Sequence, residues 1–496
     1  MIKIETSTTN AVAASSPTPK KNRPFALISM ALTELWERFS FYGLQAILPF
    51  YLFYEVTDGG LGMNPAAAAG IVGAYGGAVY IAQLVGAWLG DRLVSPVRLV
   101  LWGGIIIAIG HILLGAMPGV SGLTAGLVFI ILGTGALKTN ITSIVGFILD
   151  SGPANHRDSG FSYFYMAINV GAVIGPLSTG FAQSQWGFHW GFGLAAVGMT
   201  VAVIQFALSM PKLPAQAKVV PNPLGRKATI NALGIVVLVL ILGALTIFTG
   251  LIRAENLSII TTALAILAAV VYFAVIIRSK KITTQERQRT ISFIPFFIGG
   301  AVFFGLLFQQ FTAIALLITE RVNHTIGGWE FPVAWITMTS QLAAVLVTPI
   351  LARLWATSDA SGNSASKKFG YGLIQIGIAY ALMTGVIVIL SESMIPLAVI
   401  LFIMIVAGAS EVFVGPIGLS LATKVGPTQF RAQFVALNFL TLALGSSLSG
   451  LFGQLYTLVG NSTYFLTLAL GGVVLGALFL AFRKPIEQGL NAGISG

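Results

Sequence analysis

Long apolar segments alternate with short polar connections along almost the whole chain of 496 residues. A membrane-spanning helix needs about 20 predominantly apolar residues. By this measure the sequence predicts fourteen spanning helices, at residues 26–53, 66–90, 97–117, 122–149, 158–184, 190–210, 229–252, 258–278, 292–319, 332–355, 370–391, 396–423, 430–458 and 463–482. An even number of spans places both termini on the same side of the membrane.

Lysines and arginines are concentrated on one predicted side of the membrane. They occupy both tails and alternate connections such as "SKKITTQERQR" (279–289), whereas the opposite side has only Arg253 and Arg321. Positive connections of polytopic membrane proteins face the cytoplasm. We therefore expect both termini in the cytoplasm, with residues 1–25 as a polar, disordered tail.

Two longer polar breaks, at 211–228 and 279–291, divide the predicted spans into six, two and six. This division predicts an N-terminal six-helix bundle at 26–210, a linker and inserted helical hairpin at 211–291, a C-terminal six-helix bundle at 292–482 and a cytoplasmic tail at 483–496. Two six-helix bundles around a central cavity form the fold of major-facilitator transporters, with the substrate near the membrane midplane. "GAWLGDRLVSPVR" (86–98) resembles a cytoplasmic loop of that superfamily.

The composition supports a membrane protein and excludes several other classes. The chain is 56% hydrophobic and only 9% charged, and its net charge of +11 is distributed over short loops. A soluble nucleic-acid-binding face is therefore not expected. With no cysteine and four scattered histidines, the sequence lacks a nucleophile or metal constellation, so we predict neither an enzyme nor a cofactor.

Away from the ends of the predicted spans, five charged residues remain: Glu34, Glu37 and Arg38 in the first, Lys138 in the fourth and Glu411 in the twelfth. A charge near the bilayer centre costs at least about 2.5–3.5 kcal/mol on insertion scales. Such charges are best explained if they face a shared polar cavity and pair with one another.

Helical spacing places Glu34, Arg38, Tyr42 and Gln45 along one stripe, with Glu37 beside it. Lys138 needs an anionic partner, which the carboxylates of the first helix supply. Such a cluster couples proton uptake and release to the opening of the cavity, although it would also serve as a static ion network between two helices. The solitary Glu411 is suited to a cationic group, so the cavity as a whole suits a zwitterion.

The stretch "ELWERFSFYG" (34–43) resembles the Glu-x-x-Glu-Arg-Phe-x-Tyr-Tyr signature of the proton-dependent oligopeptide transporter family. Similar segments of that family correspond to "GTGALKTNITSIVG" (133–146), "FSYFYMAINVGAVIGP" (161–176) and "SEVFVGPIGLSLATK" (410–424). Bacterial members also carry an inserted two-helix hairpin. The resemblance implies a symporter of the bacterial inner membrane that imports di- and tripeptides together with protons, without a cofactor, and that functions as a monomer in membrane lipid.

The resemblance also assigns roles to individual positions. It implies proton coupling by Glu34, Glu37, Arg38 and Lys138. It implies substrate binding by a larger set of residues: Arg38, Tyr42, Gln45, Tyr80, Lys138, Asn169, Gln309, Glu411 and Asn438.

Four positions depart from the pattern of the family. Phe41 replaces the first tyrosine of the signature, and Gln45 stands where many members have a second arginine. Gln309 stands where many have a glutamate, and Asn438 where a tryptophan is common. We expect Gln45 and Gln309 to hydrogen-bond each other across an extracellular gate. These departures leave open a non-peptide substrate such as nitrate, a modified amino acid or a drug-like compound, while a channel is disfavoured by the embedded ion cluster.

Overall fold

The computed structural model describes residues 23–150, 154–231, 253–356 and 364–493, with a few single positions between 232 and 252. The helices are α1 Arg23–Phe53, α2 Pro65–Arg92, α3 Pro96–Ala116, α4 Gly119–Asp150, α5 Ala154–Trp186, α6 Phe188–Ser209, α7 Ala215–Lys218, α8 Leu257–Arg278, α9 Thr284–Leu307, α10 Ala313–Arg321, α11 Val333–Ala356, α12 Ala365–Leu390, α13 Leu397–Glu411, α14 Gly415–Val425, α15 Arg431–Val459, α16 Asn461–Ala481 and α17 Arg483–Leu490. Four two-residue strands lie in the loops: β1 Val322–Asn323, β2 Thr325–Ile326, β3 Trp329–Glu330 and β4 Ile395–Pro396. β1 pairs in parallel with β4, and β2 pairs antiparallel with β3.

The predicted all-α polytopic architecture is confirmed. Among the described residues, 12 helical segments are long and apolar enough to cross a membrane. Helix α1, with 31 residues, is also long enough, and its buried charges account for its lower apolarity. The predicted span 229–252 lies largely outside the described residues.

Helices pack within two groups and across a seam between them. In the first group α1 packs on α5 and α6, and α3 packs on α4 and α6; in the second, α12 packs on α16 and α9 on α15. The seam is formed by α2 against α15 and by α5 against α11, and α8 of the inserted hairpin contacts both α2 and α15.

Two predicted spans are interrupted. The span predicted at 292–319 is divided into α9 and α10 by a 3₁₀ turn at Phe308–Phe311, and Thr312 has non-helical backbone angles. The span predicted at 396–423 is divided into α13 and α14, the second of which begins at Gly415 with a proline in its first turn. Proline lacks a backbone N–H, and it suits the first turn of a helix because the N–H groups there have no partner within the helix.

The C-terminal segment is also more ordered than predicted. Residues 483–496 were expected to form a tail, whereas 483–490 form α17, with Leu490 buried. Glu487 accepts hydrogen bonds from the Ser364 hydroxyl and, at 3.4 Å, from the backbone N–H of Ser366 at the start of α12. Helix α17 therefore packs against the start of α12 and against α9.

The two groups are hydrogen-bonded to each other near one end of the molecule. We call the end with the α1–α2 connection (54–64) the outer end and the opposite one the inner end, following the predicted orientation. Toward the outer end, Ser446 Oγ of α15 donates to the carbonyl of Gly73 in α2 at 3.2 Å. Trp335 Nε1 of α11 donates to the carbonyl of Leu177 in α5 at 3.1 Å. A Cβ on Gly73 would lie only 2.5 Å from Gly450 Cα, so glycine is needed for this close approach of α2 and α15.

Candidate functional site

Three charged residues of α1 are buried and linked to one another. Glu34, Glu37 and Arg38 expose 0%, 1% and 6% of their surface. Arg38 Nε lies 2.5 Å from Glu37 Oε2, and Arg38 Nη2 lies 2.7 Å from Glu37 Oε1. Arg38 Nε is also 3.6 Å from Glu34 Oε1. Two parallel N–H···O bonds make the Arg38–Glu37 contact a bidentate pair, the strongest form of this interaction.

Lys138 of α4 provides the fourth charge of this cluster. Its ammonium group donates to Glu34 Oε1, so Glu34 lies between Lys138 and Arg38. Glu34 Oε2 is buried without a hydrogen-bond partner among the described residues. The predicted pairing of Lys138 with a carboxylate of the first helix is thus present, and Glu34 is the partner. Buried charges need such partners because removing them from water is costly.

Two aromatic rings lie close to the guanidinium group of Arg38. Its guanidinium carbon lies 4.6 Å from the ring centroid of Phe41 and 5.6 Å from that of Tyr42. The two rings meet edge to face at 5.2 Å. A cation at these distances from a ring face is attracted to it. Phe41, an exception to the family signature, therefore helps to hold Arg38 in place.

Glu411 occupies the opposite side of the seam. It is the last residue of α13, at the break before α14. A Cβ on Gly415, at the start of α14, would lie 3.8 Å from Glu411 Cγ and 3.9 Å from the ring of Phe304. Glu411 therefore lies where α13, α14 and α9 meet.

Tyr165 was missed by the sequence reasoning. It lies on α5, four residues before Asn169, and is 57% exposed. Residues four apart share one face of a helix. The spacing from Asn169 in "YMAIN" was therefore the signal that could have identified it.

Gln309 lies in the break between α9 and α10 and is fully buried. Its amide nitrogen donates to the carbonyls of Gly305 (3.0 Å) and Ser449 (3.3 Å). Its amide oxygen accepts from Thr312 Oγ1 (2.9 Å) and from the hydroxyl of Tyr464 (2.6 Å). These contacts use both donor hydrogens and both lone pairs of the amide. Gln309 thus ties the break to α15 and α16.

The predicted hydrogen bond between Gln45 and Gln309 is therefore wrong. Gln45 is half-buried on α1, but the amide of Gln309 is already saturated within the C-terminal group of helices. The sequence predicts one continuous span at 292–319, whereas a 3₁₀ turn at Phe308–Phe311 interrupts the helix at Gln309. Hydrogen bonds to Ser449 and Tyr464 then fix the side chain within the C-terminal group of helices.

The remaining predicted site residues are divided between the two halves. Tyr80 of α2 and Asn169 of α5 are half-buried, as is Tyr42. Asn438 of α15 is buried and packs against α14, since a Cβ on Gly418 would lie 2.8 Å from its Oδ1. A group of three or more His, Asp or Glu that could hold a metal ion is absent from the described residues.

Comparison with known proteins gives a consistent picture. The profile described as "POT family" matches residues 97–467. The chain belongs to the POT family. It is 36% identical over 472 residues to the uncharacterized transporter YclF of Bacillus subtilis (strain 168), covering 94% of this chain and 95% of that protein. It is 34% identical to the di-/tripeptide transporter of Lactococcus lactis subsp. cremoris, covering 94% and 96%.

Solved structures agree with this assignment. A peptide transporter POT bound to sulfate has a TM-score of 0.88 and 34% identity, covering 96% of this chain and 98% of that one. A POT family transporter bound to 5-aminolevulinic acid has a TM-score of 0.87 and 30% identity, covering 93% and 96%. The predicted major-facilitator fold of this family is thereby confirmed.

Proposed function

We propose that this POT family member imports di- and tripeptides together with protons by alternating access. The observation that carries the proposal is the buried Glu34–Lys138 ion pair between α1 and α4, which is joined through Glu34 to the Arg38–Glu37 pair. Relatives described as di-/tripeptide transporters support peptides as the cargo.

The ion pairs provide a physical means of coupling. A proton on Glu34 removes the charge that holds Lys138, so the ammonium group becomes available to a substrate carboxylate. A proton on Glu37 has the same effect on Arg38. Because the pairs are buried, each protonation changes the free energy of the cavity more than it would in water. We assign proton coupling to Glu34, Glu37, Arg38 and Lys138.

Substrate binding is assigned to residues of both halves. The set is Arg38, Tyr42, Gln45, Tyr80, Lys138, Asn169, Glu411 and Asn438, and we add Tyr165. Gln309 is reassigned to support the break between α9 and α10, because its amide has no free hydrogen-bonding capacity.

The transport cycle moves the two bundles relative to each other about this site. We propose bundles at 26–210 and 292–482, a linker and hairpin at 211–291 and cytoplasmic segments at 1–25 and 483–496, the second of which contains the docked helix α17, in a monomer of the bacterial inner membrane. The hydrogen bonds between α2 and α15 and between α5 and α11 hold the outer end closed in this conformation. A rocking motion that breaks them opens the cavity to the outside.

The decisive experiment uses the full chain in proteoliposomes that contain a pH-sensitive dye. Addition of dialanine outside is expected to acidify the lumen, and an inward-negative potential is expected to accelerate it. Each charge moved through 100 mV gains about 2.3 kcal/mol. Absence of peptide-driven proton movement would refute the proposal. A channel would conduct without this coupling, and an enzyme would alter the peptide, which chromatography of the lumen detects.

A second candidate function is the symport of a non-peptide substrate. It is favoured by the departures at Phe41, Gln45, Gln309 and Asn438, and by the relative that was solved with 5-aminolevulinic acid. Competition of 5-aminolevulinic acid, nitrate and dialanine against one labelled dipeptide separates the two functions. Peptide transport predicts that dialanine competes most strongly.

A further inference from the structure

The two glycines of "GAWLGDR" (86–92) form a seat for α4 on the inner half of α2. Gly86 and Gly90 are four residues apart and so lie on one face of α2. A Cβ on Gly86 would lie 1.8 Å from the carbonyl oxygen of Gly135, and a Cβ on Gly90 would lie 1.8 Å from Asn140 Oδ1. A side chain at either position would therefore displace α4 from α2.

Asn140 of α4 occupies this seat and bonds the two helices together. It is only 3% exposed, and its Nδ2 donates to the carbonyl of Gly86 at 3.0 Å and to that of Ala136 at 2.8 Å. These two bonds use both hydrogens of the amide nitrogen. The side chain is therefore fixed both to α2 and to its own helix.

Lys138 leaves α4 in a different direction from Asn140. Residues two apart do not share a face of a helix, and Lys138 donates to Glu34 of α1 whereas Asn140 bonds to α2. Helix α4 packs mainly on α3 and α2 and has little direct contact with α1. The rotation of α4, and with it the reach of the Lys138 ammonium group toward Glu34, therefore depends on how α2 holds α4.

We propose that Asn140 is a positioning residue for proton coupling, which holds α4 in the rotation that lets Lys138 reach Glu34. The proposal rests on the proposed function. Through its outer half α2 also bonds to α15, where Ser446 donates to the carbonyl of Gly73. A displacement of α2 when the outer end opens is therefore transmitted through Asn140 to the ion pair.

The test compares two activities of the full chain in proteoliposomes. Proton-driven uptake of dialanine needs coupling, whereas exchange of labelled for unlabelled dialanine at equal pH needs only alternating access. Asn140→Leu is similar in size but cannot donate, so proton-driven uptake should fall about ten-fold or more while exchange changes less than about three-fold. Gly90→Ala, whose methyl group displaces the amide from α2, should give the same split. The matched control is Ser143→Ala, which removes an exposed hydroxyl that bonds to Thr139 in the same helix.

An equal fall of uptake and exchange in the two variants would assign Asn140 a structural role and overturn the inference. Unchanged proton-driven uptake would overturn it as well. Should Asn140→Leu fail to fold, as thermal unfolding of the purified protein would show, Gly90→Ala decides by the same two activities. Absence of proton-driven uptake by the wild type would overturn the proposed function instead.

A different set of residues, at the outer half of α2, carries a second inference. Helix α8 of the inserted hairpin begins beside the seam, where buried Ser258 donates to the carbonyl of Gly70 in α2 at 2.8 Å. A Cβ on Gly450 of α15 would lie only 2.2 Å from Ser258 Oγ. Gln454 of α15 donates to the carbonyl of Glu255, just before α8, at 2.7 Å. The start of α8 is therefore bonded to both sides of the seam.

We infer that this part of the hairpin clamps the outer end closed and so biases the alternating-access equilibrium. Opening the outer end separates α2 from α15, which breaks at least one of these two hydrogen bonds. Loss of one such bond is equivalent to about a five-fold shift in the equilibrium. Removing both bonds is expected to increase the outward-open population.

Electron–electron distance measurements on a spin-labelled pair test the clamp. The chain contains no cysteine, so labels can be placed at Val56→Cys and Leu458→Cys, two highly exposed outer positions on opposite sides of the seam. Ser258→Ala with Gln454→Ala should enlarge the longer-distance population about five-fold or more. The control Thr467→Ala removes a hydroxyl bonded within its own helix and should change nothing. An unchanged distribution in the double variant would overturn the clamp.

Discussion

In the N-terminal bundle four buried charges form two linked ion pairs, whereas in the C-terminal bundle neutral hydrogen bonds hold the break at Gln309. The ion pairs change when a proton arrives, because protonation of a carboxylate removes the attraction. Among the partners of Gln309, the phenol of Tyr464 is the ionisable group, and its ordinary pKa of about 10 keeps it neutral, so this network does not respond to protons near neutral pH. We therefore propose that the ion pairs of the first region switch during transport, whereas the hydrogen-bonded break of the second region keeps its shape.

The largest expected effect comes from breaking the ion pair between Glu34 and Lys138. Lys138→Ala leaves Glu34 buried without its cationic partner, and loss of one member of a buried pair costs about 3–5 kcal/mol. We expect dialanine-driven proton flux to fall at least about 100-fold. The control is Lys424→Ala, since Lys424 is exposed on α14.

A double variant distinguishes loss of coupling from loss of folding. Glu34→Gln combined with Lys138→Ala removes the uncompensated charge, so the thermal stability should recover while proton flux stays absent. Proton flux that survives Lys138→Ala would refute the mechanism.

The second effect concerns stability in the C-terminal bundle. Gln309→Leu leaves the Tyr464 hydroxyl and the Gly305 carbonyl without this buried partner, whereas Thr312 Oγ1 still donates to the Ser449 carbonyl at 3.3 Å. We expect a loss of about 2 kcal/mol in unfolding free energy. Tyr464→Phe removes one of these hydrogen bonds and should cost about 1 kcal/mol. Denaturation of the purified proteins measures both. If Gln309→Leu instead keeps its stability and loses dipeptide affinity, Gln309 contacts the substrate and the contrast between the bundles fails.

The third effect tests whether Arg38 acts through its geometry or through its charge alone. Arg38→Lys keeps the charge but loses the bidentate contact with Glu37 and the contact of the guanidinium with the Phe41 ring. We expect the KM for dialanine to rise about ten-fold, since arginine and lysine are not equivalent at such sites. Concentration-dependent uptake measures it. An unchanged KM would show that charge alone matters at this position.

The smallest effect concerns Phe41. Phe41→Leu removes the ring under the guanidinium, an interaction of about 0.5–1 kcal/mol, and should weaken dialanine uptake about two- to five-fold. Phe41→Tyr retains the ring and should stay within about two-fold of the wild type. Uptake by the two variants side by side measures the contribution of the ring. Equal losses in both would indicate a packing effect only.

Much of the fold could be predicted because bilayer thickness imposes a simple length rule on apolar segments. The described helices begin and end within a few residues of most predicted spans; α3, predicted at 97–117, is found at Pro96–Ala116. The breaks after Leu307 and Glu411 were missed, because apolar sequence continues through both and length alone cannot detect them. The Gly-Pro pair at 415–416 was a local signal for the second break.

The charged part of the candidate site could be predicted from the sequence. Glu34, Glu37, Arg38 and Lys138 had to find partners because an isolated charge in lipid is too costly, so the sequence by itself determined that they meet. Only the tertiary structure decided that Lys138 pairs with Glu34 and not with Glu37. The two carboxylates are chemically alike and differ only in the direction in which they leave α1. The same holds for Gln309. Its neutral amide bonds equally well with several partners, so only the position of α15 and α16 beside the helix break decided between Gln45 and Tyr464.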